Sequence, residues 1–314
     1  MGLKRKIYIA LGLASGLALL PLPAAATFTD PRSAEDDIVV TGNKTTKEAI
    51  ADFIQTTIAT PKGGKHEGQY ARFPQAICPK VVGLSEENVE QVERRMRGVA
   101  LAADMRVAAE ECTPNVYVMV VSNGNEAVSL LRKKRSRLFG GLSHYEKARI
   151  AESSGPAFGW KRIQTGSAET GALQNSDDTD IVPSDGPAKT EVPIMYSNVK
   201  SKIKRTTAKA ITHSFLLLEK DALVDLTTVQ IADYAAMRSY IDTRNSPASK
   251  PPAYSILALF DDADPDAKQP ASVSEMDLVL LSSLYNSPAD VSASMQSAAM
   301  LHRFEKELTA NKDD

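Results

Sequence analysis

The residues whose types could do chemistry are few in this chain, and they lie far apart. Its four histidines are His66, His144, His213 and His302, and no two are close enough in sequence to share one helix face. His66 opens an H-E-x-x-H metal motif, but Tyr70 stands where the second histidine would be. The sequence therefore predicts no metal ligands, no catalytic residues and no cofactor.

An acidic segment after residue 260 resembles the opening of a calcium loop, with Asp262, Asp264 and Asp266 at alternate positions. Ala267 replaces the required glycine, and Val273 stands where the last acidic ligand belongs. These departures favour a solvated acidic turn. The sequence also lacks P-loop, dinucleotide-binding and nucleophile-elbow signatures. A Ser/His/Asp triad assembled from distant parts of the chain stays open.

The two cysteines, Cys78 and Cys112, are expected to form a disulfide, as a lone pair in an exported chain usually does. Closing a loop of this length stabilises a fold by about 3–4 kcal/mol on the chain-entropy model. The competing interpretation is a metal-binding pair or a nucleophilic thiol. A nucleophilic cysteine would need a histidine beside it, and neither position has one in sequence.

Residues 1–26 have the three parts of a secretory signal peptide: basic residues 4–6, an apolar run over 7–20 and small residues at 24–26. We expect cleavage after Ala26, and the apolar run is short for a membrane span. The chain has 37 Lys and Arg against 39 Asp and Glu, and three of the basic residues lie in the leader, so the mature net charge is −5. This balance argues against a nucleic-acid partner. The mature chain has no membrane-spanning segment, which predicts a periplasmic or secreted protein.

A basic run, residues 132–137, carries five positive charges in six residues. Such a run is typical of nucleic-acid or heparin binding. The alternative is a solvated helix C-terminus, where cations interact favourably with the helix dipole. Export and net acidity favour the helix end.

Hydrophobic periodicity predicts an α/β fold, a mixed sheet with packed helices, with α+β left open. Apolar residues at helical spacing predict a long helix from the N-cap Ser85 to about Val107, and the continuous run 115–122 predicts a strand buried on both faces. A second helix follows, with Leu130 among its inward residues, then a strand over 156–163. Composition divides the mature chain into an N-terminal lobe (27–164), a flexible insertion (165–195) and a C-terminal lobe (196–314), forming one domain or two.

The C-terminal lobe begins with a strand over 213–219, and a capping box at Thr227 then starts a helix that runs to about Asp242. Ser274 caps a later helix that ends in Leu284-Tyr285. The stretch 273–285 is similar to the closing helix of matrixin-like zinc peptidases, and the order of strand, helix, turn and closing helix resembles theirs. Where those peptidases carry two histidines and a glutamate, this chain offers Gln230, Tyr234 and Ile231.

The resemblance implies a degenerate zincin-like scaffold that lacks the H-E-x-x-H motif and carries no zinc. The whole pattern, with Cys78-Pro79 and the Leu-Tyr end, also resembles uncharacterised exported proteins of Gram-negative alphaproteobacteria. The leading hypothesis is a non-enzymatic binding or envelope-associated protein. The alternative is a peptidase-like hydrolase whose site is not visible in the sequence. Neither identifies a partner.

Overall fold

A computed structural model describes residues 47–174, 179–182, 190–193, 201, 203–243, 250–261 and 269–310. The expected signal peptide (1–26) and the acidic segment 262–266 lie outside the described residues. The described residues all belong to one compact unit, Ile38–Asp314.

In the described part of the chain, six strands form two sheets: β1 (Pro79–Val82), β2 (Val116–Val121), β3 (Ala157–Ser167), β4 (Thr179–Val182), β5 (Thr190–Pro193) and β6 (Thr207–Glu219). The main sheet has the order β1-β2-β6-β3, in which β1, β2 and β6 are parallel and β3 is antiparallel to β6. β4 and β5 pair as a separate antiparallel ribbon. The predicted α/β fold with a mixed sheet is therefore confirmed.

The helices of the described residues are α1 (Lys47–Thr57), α2 (Gly64–Glu67), α3 (Glu86–Ala102), α4 (Gly124–Lys134), α5 (His144–Ala151), α6 (Thr228–Tyr240), α7 (Glu275–Tyr285) and α8 (Ala293–Ala310). Within the described ranges, no helix combines the length and hydrophobicity needed to cross a membrane.

Helices cover both faces of the main sheet because its strands are apolar on both sides. Along β6, Leu216 and Leu218 join the larger core, which also contains residues of α3 and α6. Phe215 and Leu217 belong to a smaller core with residues of α4, α5 and β3. The alternation follows from the two-residue period of a strand. β6 is therefore buried on both faces, whereas β2, the strand expected to be so, is fully buried at Val116 and Val118 and only partly buried on the face of Tyr117, Met119 and Val121.

Three helix ends and one helix face differ from expectation. α3 ends at Ala102 rather than near Val107, because Asp104 adopts a left-handed conformation (φ 56°) that ends the helix. α4 ends at Lys134, and a 3₁₀ turn (Ser136–Phe139) follows it. Leu130, expected to point inward, is 52% exposed. α6 ends at Tyr240 rather than Asp242.

Both halves of the sequence contribute to the main sheet. β6, from the second half, lies between β2 and β3, from the first. β3 also extends to Ser167, three residues into the expected insertion, and the β4–β5 ribbon lies within that insertion. The two sequence lobes therefore share one sheet.

Candidate functional site

The predicted disulfide between Cys78 and Cys112 is present, with a Cα–Cα distance of 6.1 Å. It ties the residue before β1 to the segment that leads into β2. The side chain of Asn115 supports the same junction, since it accepts a hydrogen bond from the Cys78 main-chain N–H (2.8 Å) and donates one to the Ala76 carbonyl (2.9 Å). The cysteines are therefore structural, and a disulfide indicates an oxidising environment.

The structure does not bring the histidines together. His66, His144 and His302 are exposed on three different helices. His213 lies on β6, stacked on Tyr117, and burial is the main cause that lowers its pKa, with Arg162 contributing. Among the described residues, no group of three or more His, Cys, Asp or Glu could hold a metal ion.

The α6 side chains at the positions that would bear metal ligands in a zinc peptidase have structural roles in this chain. Gln230 completes a capping box with Thr227 and donates to the Pro270 carbonyl (3.0 Å). Ile231 and Tyr234 are buried in the larger core. These three side chains therefore hold α6 in place.

The closing-helix motif also has a structural role. The buried carboxylate of Asp277 accepts hydrogen bonds from the main chain and hydroxyl of Ser274 and from the main chain of Ile256, so it joins the start of α7 to a neighbouring loop. At the other end of α7, the Tyr285 hydroxyl donates to the carbonyl of Tyr240, the last residue of α6 (2.9 Å). The residues behind the peptidase resemblance thus connect α7 to its surroundings.

A cleft of about 540 Å³ lies beside β3, at the edge of the main sheet. Residues 159–163 of β3 form one wall, and residues 58–62 form another. The latter segment is held by an antiparallel bridge between Ile58 and Thr243, and by a hydrogen bond from the Ala59 N–H to the Asp242 carbonyl (2.7 Å). Residues 141, 142, 146, 149 and 150, from α5 and the loop before it, also line the cleft, as do residues 69–71, 209, 242 and 243.

A buried lysine and a carboxylate lie in this cleft. Lys161, only 5% exposed, donates from Nζ to the carbonyl of Arg238 (2.8 Å), which caps the last turn of α6. Burial lowers the pKa of Lys161 to about 8, opposed by Asp242. Burial raises the pKa of the Asp242 carboxyl, and the charges of Lys161 and Arg238 oppose this rise. The two pKa values therefore move towards each other.

Further charged groups on α5 line the same cleft. Glu146 forms an ion pair with Lys62 (3.1 Å) and a capping box with Ser143. Burial alone would raise the pKa of Glu146, but hydrogen bonds from Ser143 and Lys62 bring it below its ordinary value. Arg149 is exposed, and within the described residues it has no ion pair. It is therefore available to an incoming anionic group.

The edge of β3 adds main-chain groups to the cleft. The Pro156 carbonyl accepts a hydrogen bond from the Glu219 N–H. Hydrogen-bonding direction alternates along an antiparallel strand, so the main-chain groups of Lys161 point away from β6. The Arg238 side chain reaches this edge near Gly159. The cleft thus combines charged side chains with the polar edge of a strand.

A second cavity, of about 610 Å³, lies near the opposite end of β3. Two prominent polar side chains of its lining are already engaged: Arg72 donates to the carbonyls of Leu284, Tyr285 and Ser287, and Tyr285 bonds to α6. We therefore take the first cleft as the candidate site. No protein-family model, curated protein or solved structure matches this chain.

Sequence reasoning did not find this cleft, because six segments from distant parts of the chain build it. Two local signals were available. Lys161 directly follows Trp160 on a predicted strand, and Ser143 with Glu146 has the spacing of a capping box. Neither signal shows by itself that the residues line one cavity.

Proposed function

We propose that this chain is an exported periplasmic protein that binds an extended polypeptide segment in the β3 cleft, without catalysis, on a degenerate zincin-like scaffold. The proposal rests on one observation: the cleft is lined by the edge strand β3 and by charged side chains that include Arg149, which has no ion pair within the described residues. A strand edge can pair with an added peptide strand through main-chain hydrogen bonds, and neighbouring side chains then provide specificity.

Two features support the scaffold and the location. The chain order of β6, α6 and α7 agrees with the resemblance to matrixin-like peptidases, while Ile231 and Tyr234 occupy the core where metal ligands would be needed. The disulfide and the signal-peptide pattern of residues 1–26 support export to the periplasm.

The charges of the cleft favour an acidic segment or a free carboxylate. Four cationic and two acidic side chains contribute to its lining: Lys62, Arg149, Lys161, Lys209, Glu146 and Asp242. Lys62 is paired with Glu146, and Lys161 lies in the field of Asp242. The remaining positive charge attracts an anion, most strongly at low ionic strength.

The test is affinity selection of a random peptide library on the immobilised mature chain, residues 27–314. Trp160, the chain's single tryptophan, lies in the cleft wall and can report binding by its fluorescence. We expect acidic peptides to be enriched, and Arg149→Glu to weaken their binding at least about tenfold. Lys147→Glu is the matched control, because it makes the same charge change on α5 outside the cleft lining.

N-methylation of alternate peptide amides separates strand addition from simple charge attraction. It removes main-chain donors, so binding should be lost in one of the two methylation registers. Binding that survives both registers would exclude strand addition. A selection without enriched peptides, or equal weakening by both α5 variants, would reject the cleft as a polypeptide site.

A hydrolase is the second candidate, and one observation favours it. Lys161 and Asp242 share a cleft, and their pKa values are shifted in opposite directions, a pattern found at many active sites. Mass spectrometry of a peptide mixture incubated with the mature chain tests this candidate. Cleavage that is lost in Lys161→Met and kept in Lys147→Met would replace the binding proposal.

A further inference from the structure

The charged C-terminal end of α4 is a surface outside the lining of the cleft. We call residues 132–137 the basic end. All its residues from Lys133 to Arg137 are exposed. Within the described part of the chain, none of its five cationic side chains has an ion pair or a hydrogen bond of its own.

The helix dipole accounts for only part of this cluster. α4 ends at Lys134, so Arg135 and Arg137 lie beyond its last turn. The dipole's favourable effect on cations is confined to about that turn. The Arg135 main-chain N–H caps the Leu131 carbonyl, but the side chain does not. At least two of the five cations therefore gain little from the helix end.

Exposed apolar side chains lie on both sides of the basic end in the chain. Leu130 of α4, two residues before it, is 52% exposed, and Tyr145, in the first turn of α5, is 75% exposed. Only residues 138–143 separate Arg137 from the start of α5, and Asn125 at the start of α4 donates to the carbonyls of Ala151 and Ser153, which holds the end of α5 against α4. An exposed tyrosine and leucine thus accompany the five cations.

The acidic groups of the two helices do not neutralise this end. Glu126 lies in the first turn of α4, and Glu152 follows the end of α5, so both are at the opposite end of the pair. Glu146, the acid nearest to Tyr145 in sequence, is already bound by Lys62 and Ser143. The basic end is therefore a cationic surface on a net acidic mature chain.

We propose that the basic end, with Leu130 and Tyr145, docks the protein on an anionic phospholipid bilayer. Clustered Lys and Arg attract anionic headgroups, and each cation near the surface contributes. Tyrosine and leucine suit the interface, where an apolar body enters the acyl boundary while polar atoms stay hydrated. This surface does not depend on the cleft, so the inference stands independently of the proposed ligand.

The test is co-sedimentation of the mature chain with vesicles of phosphatidylcholine containing about one third phosphatidylglycerol, compared with phosphatidylcholine alone. We expect binding only to the anionic vesicles, and at least about tenfold weaker binding at roughly 0.3 M salt than at low salt. Neutralising the basic end should abolish this binding, in the quadruple variant Lys133→Gln, Lys134→Gln, Arg135→Gln and Arg137→Gln.

A charge-matched control separates a local surface from net charge. It makes four exchanges at exposed positions elsewhere: Lys80→Gln, Arg94→Gln, Lys204→Gln and Lys220→Gln. Binding should be kept in this control and reduced in Tyr145→Ser, with thermal unfolding confirming that every variant folds. Equal losses in the two quadruple variants would overturn the proposal. So would equal binding to neutral vesicles, or binding to heparin without binding to anionic vesicles.

Discussion

Replacing Lys161 tests the electrostatics of the cleft directly. The folded chain holds this lysine with a pKa of about 8, while an unfolded lysine titrates near 10.4. Between these two values the unfolded chain binds more protons than the folded chain, so the free energy of unfolding rises with pH in that window. The difference of roughly 2.4 pKa units corresponds to about 3 kcal/mol.

Lys161→Met removes this titration, so we compare its urea unfolding with that of the parent chain between pH 7 and pH 10.5. The parent should gain up to about 3 kcal/mol relative to the variant as the pH rises. Lys161→Arg serves as the control, because arginine keeps its charge throughout this range and should also lack the gain. A stability difference between parent and Lys161→Met that does not change with pH would refute the reasoning.

Three further predictions concern stability. Reduction of the disulfide should lower the free energy of unfolding by about 3–4 kcal/mol, measured by urea denaturation with and without reductant. Gly124→Ala should lower the free energy of unfolding by roughly 1–3 kcal/mol, because its new Cβ would lie 1.9 Å from the Phe158 ring. In contrast, the new Cβ of Gly98→Ala on α3 meets no atom within 4 Å, so this control variant should raise the free energy of unfolding by up to about 1 kcal/mol. Asp233→Ala should cost about 3 kcal/mol, because this fully buried carboxylate pairs with Arg95 (2.7 Å) and accepts a hydrogen bond from the Val273 N–H, both of which would be lost; an unchanged denaturation midpoint would contradict this.

The local sequence predicted the parts of the fold that depend on interactions between residues close together in the chain. The predicted capping box at Thr227 and the predicted N-cap at Ser274 are present, because a cap and its partner lie three residues apart. The disulfide was also predictable, since the chain has only two cysteines. The end of α3 was not, because it depends on the left-handed conformation of Asp104, a residue type that takes this conformation only in some contexts.

The candidate site could not be predicted from the sequence, because it depends on pairing between segments that are far apart in the chain. The position of Asp242 in the cleft requires the bridge between Ile58 and Thr243, which joins parts of the chain 185 residues apart. Burial of Lys161 requires β3 to be the edge strand beside β6, with α6 ending next to it. No local pattern carries this information, since both residues are types that usually lie at the surface.

Lys161 links the stability of α6 to the chemistry of the cleft. Its ammonium group caps the last turn of α6, and Asp242 follows that helix by two residues. An anion in the cleft would add negative charge beside Lys161, which favours its protonated form and strengthens the cap. Binding and stability are therefore thermodynamically linked: a ligand that prefers charged Lys161 binds best below about pH 8 and raises the pKa of the lysine. Burying the charged lysine costs free energy. The hydrogen bond to the end of α6 and the charge of the nearby Asp242 carboxylate offset this cost.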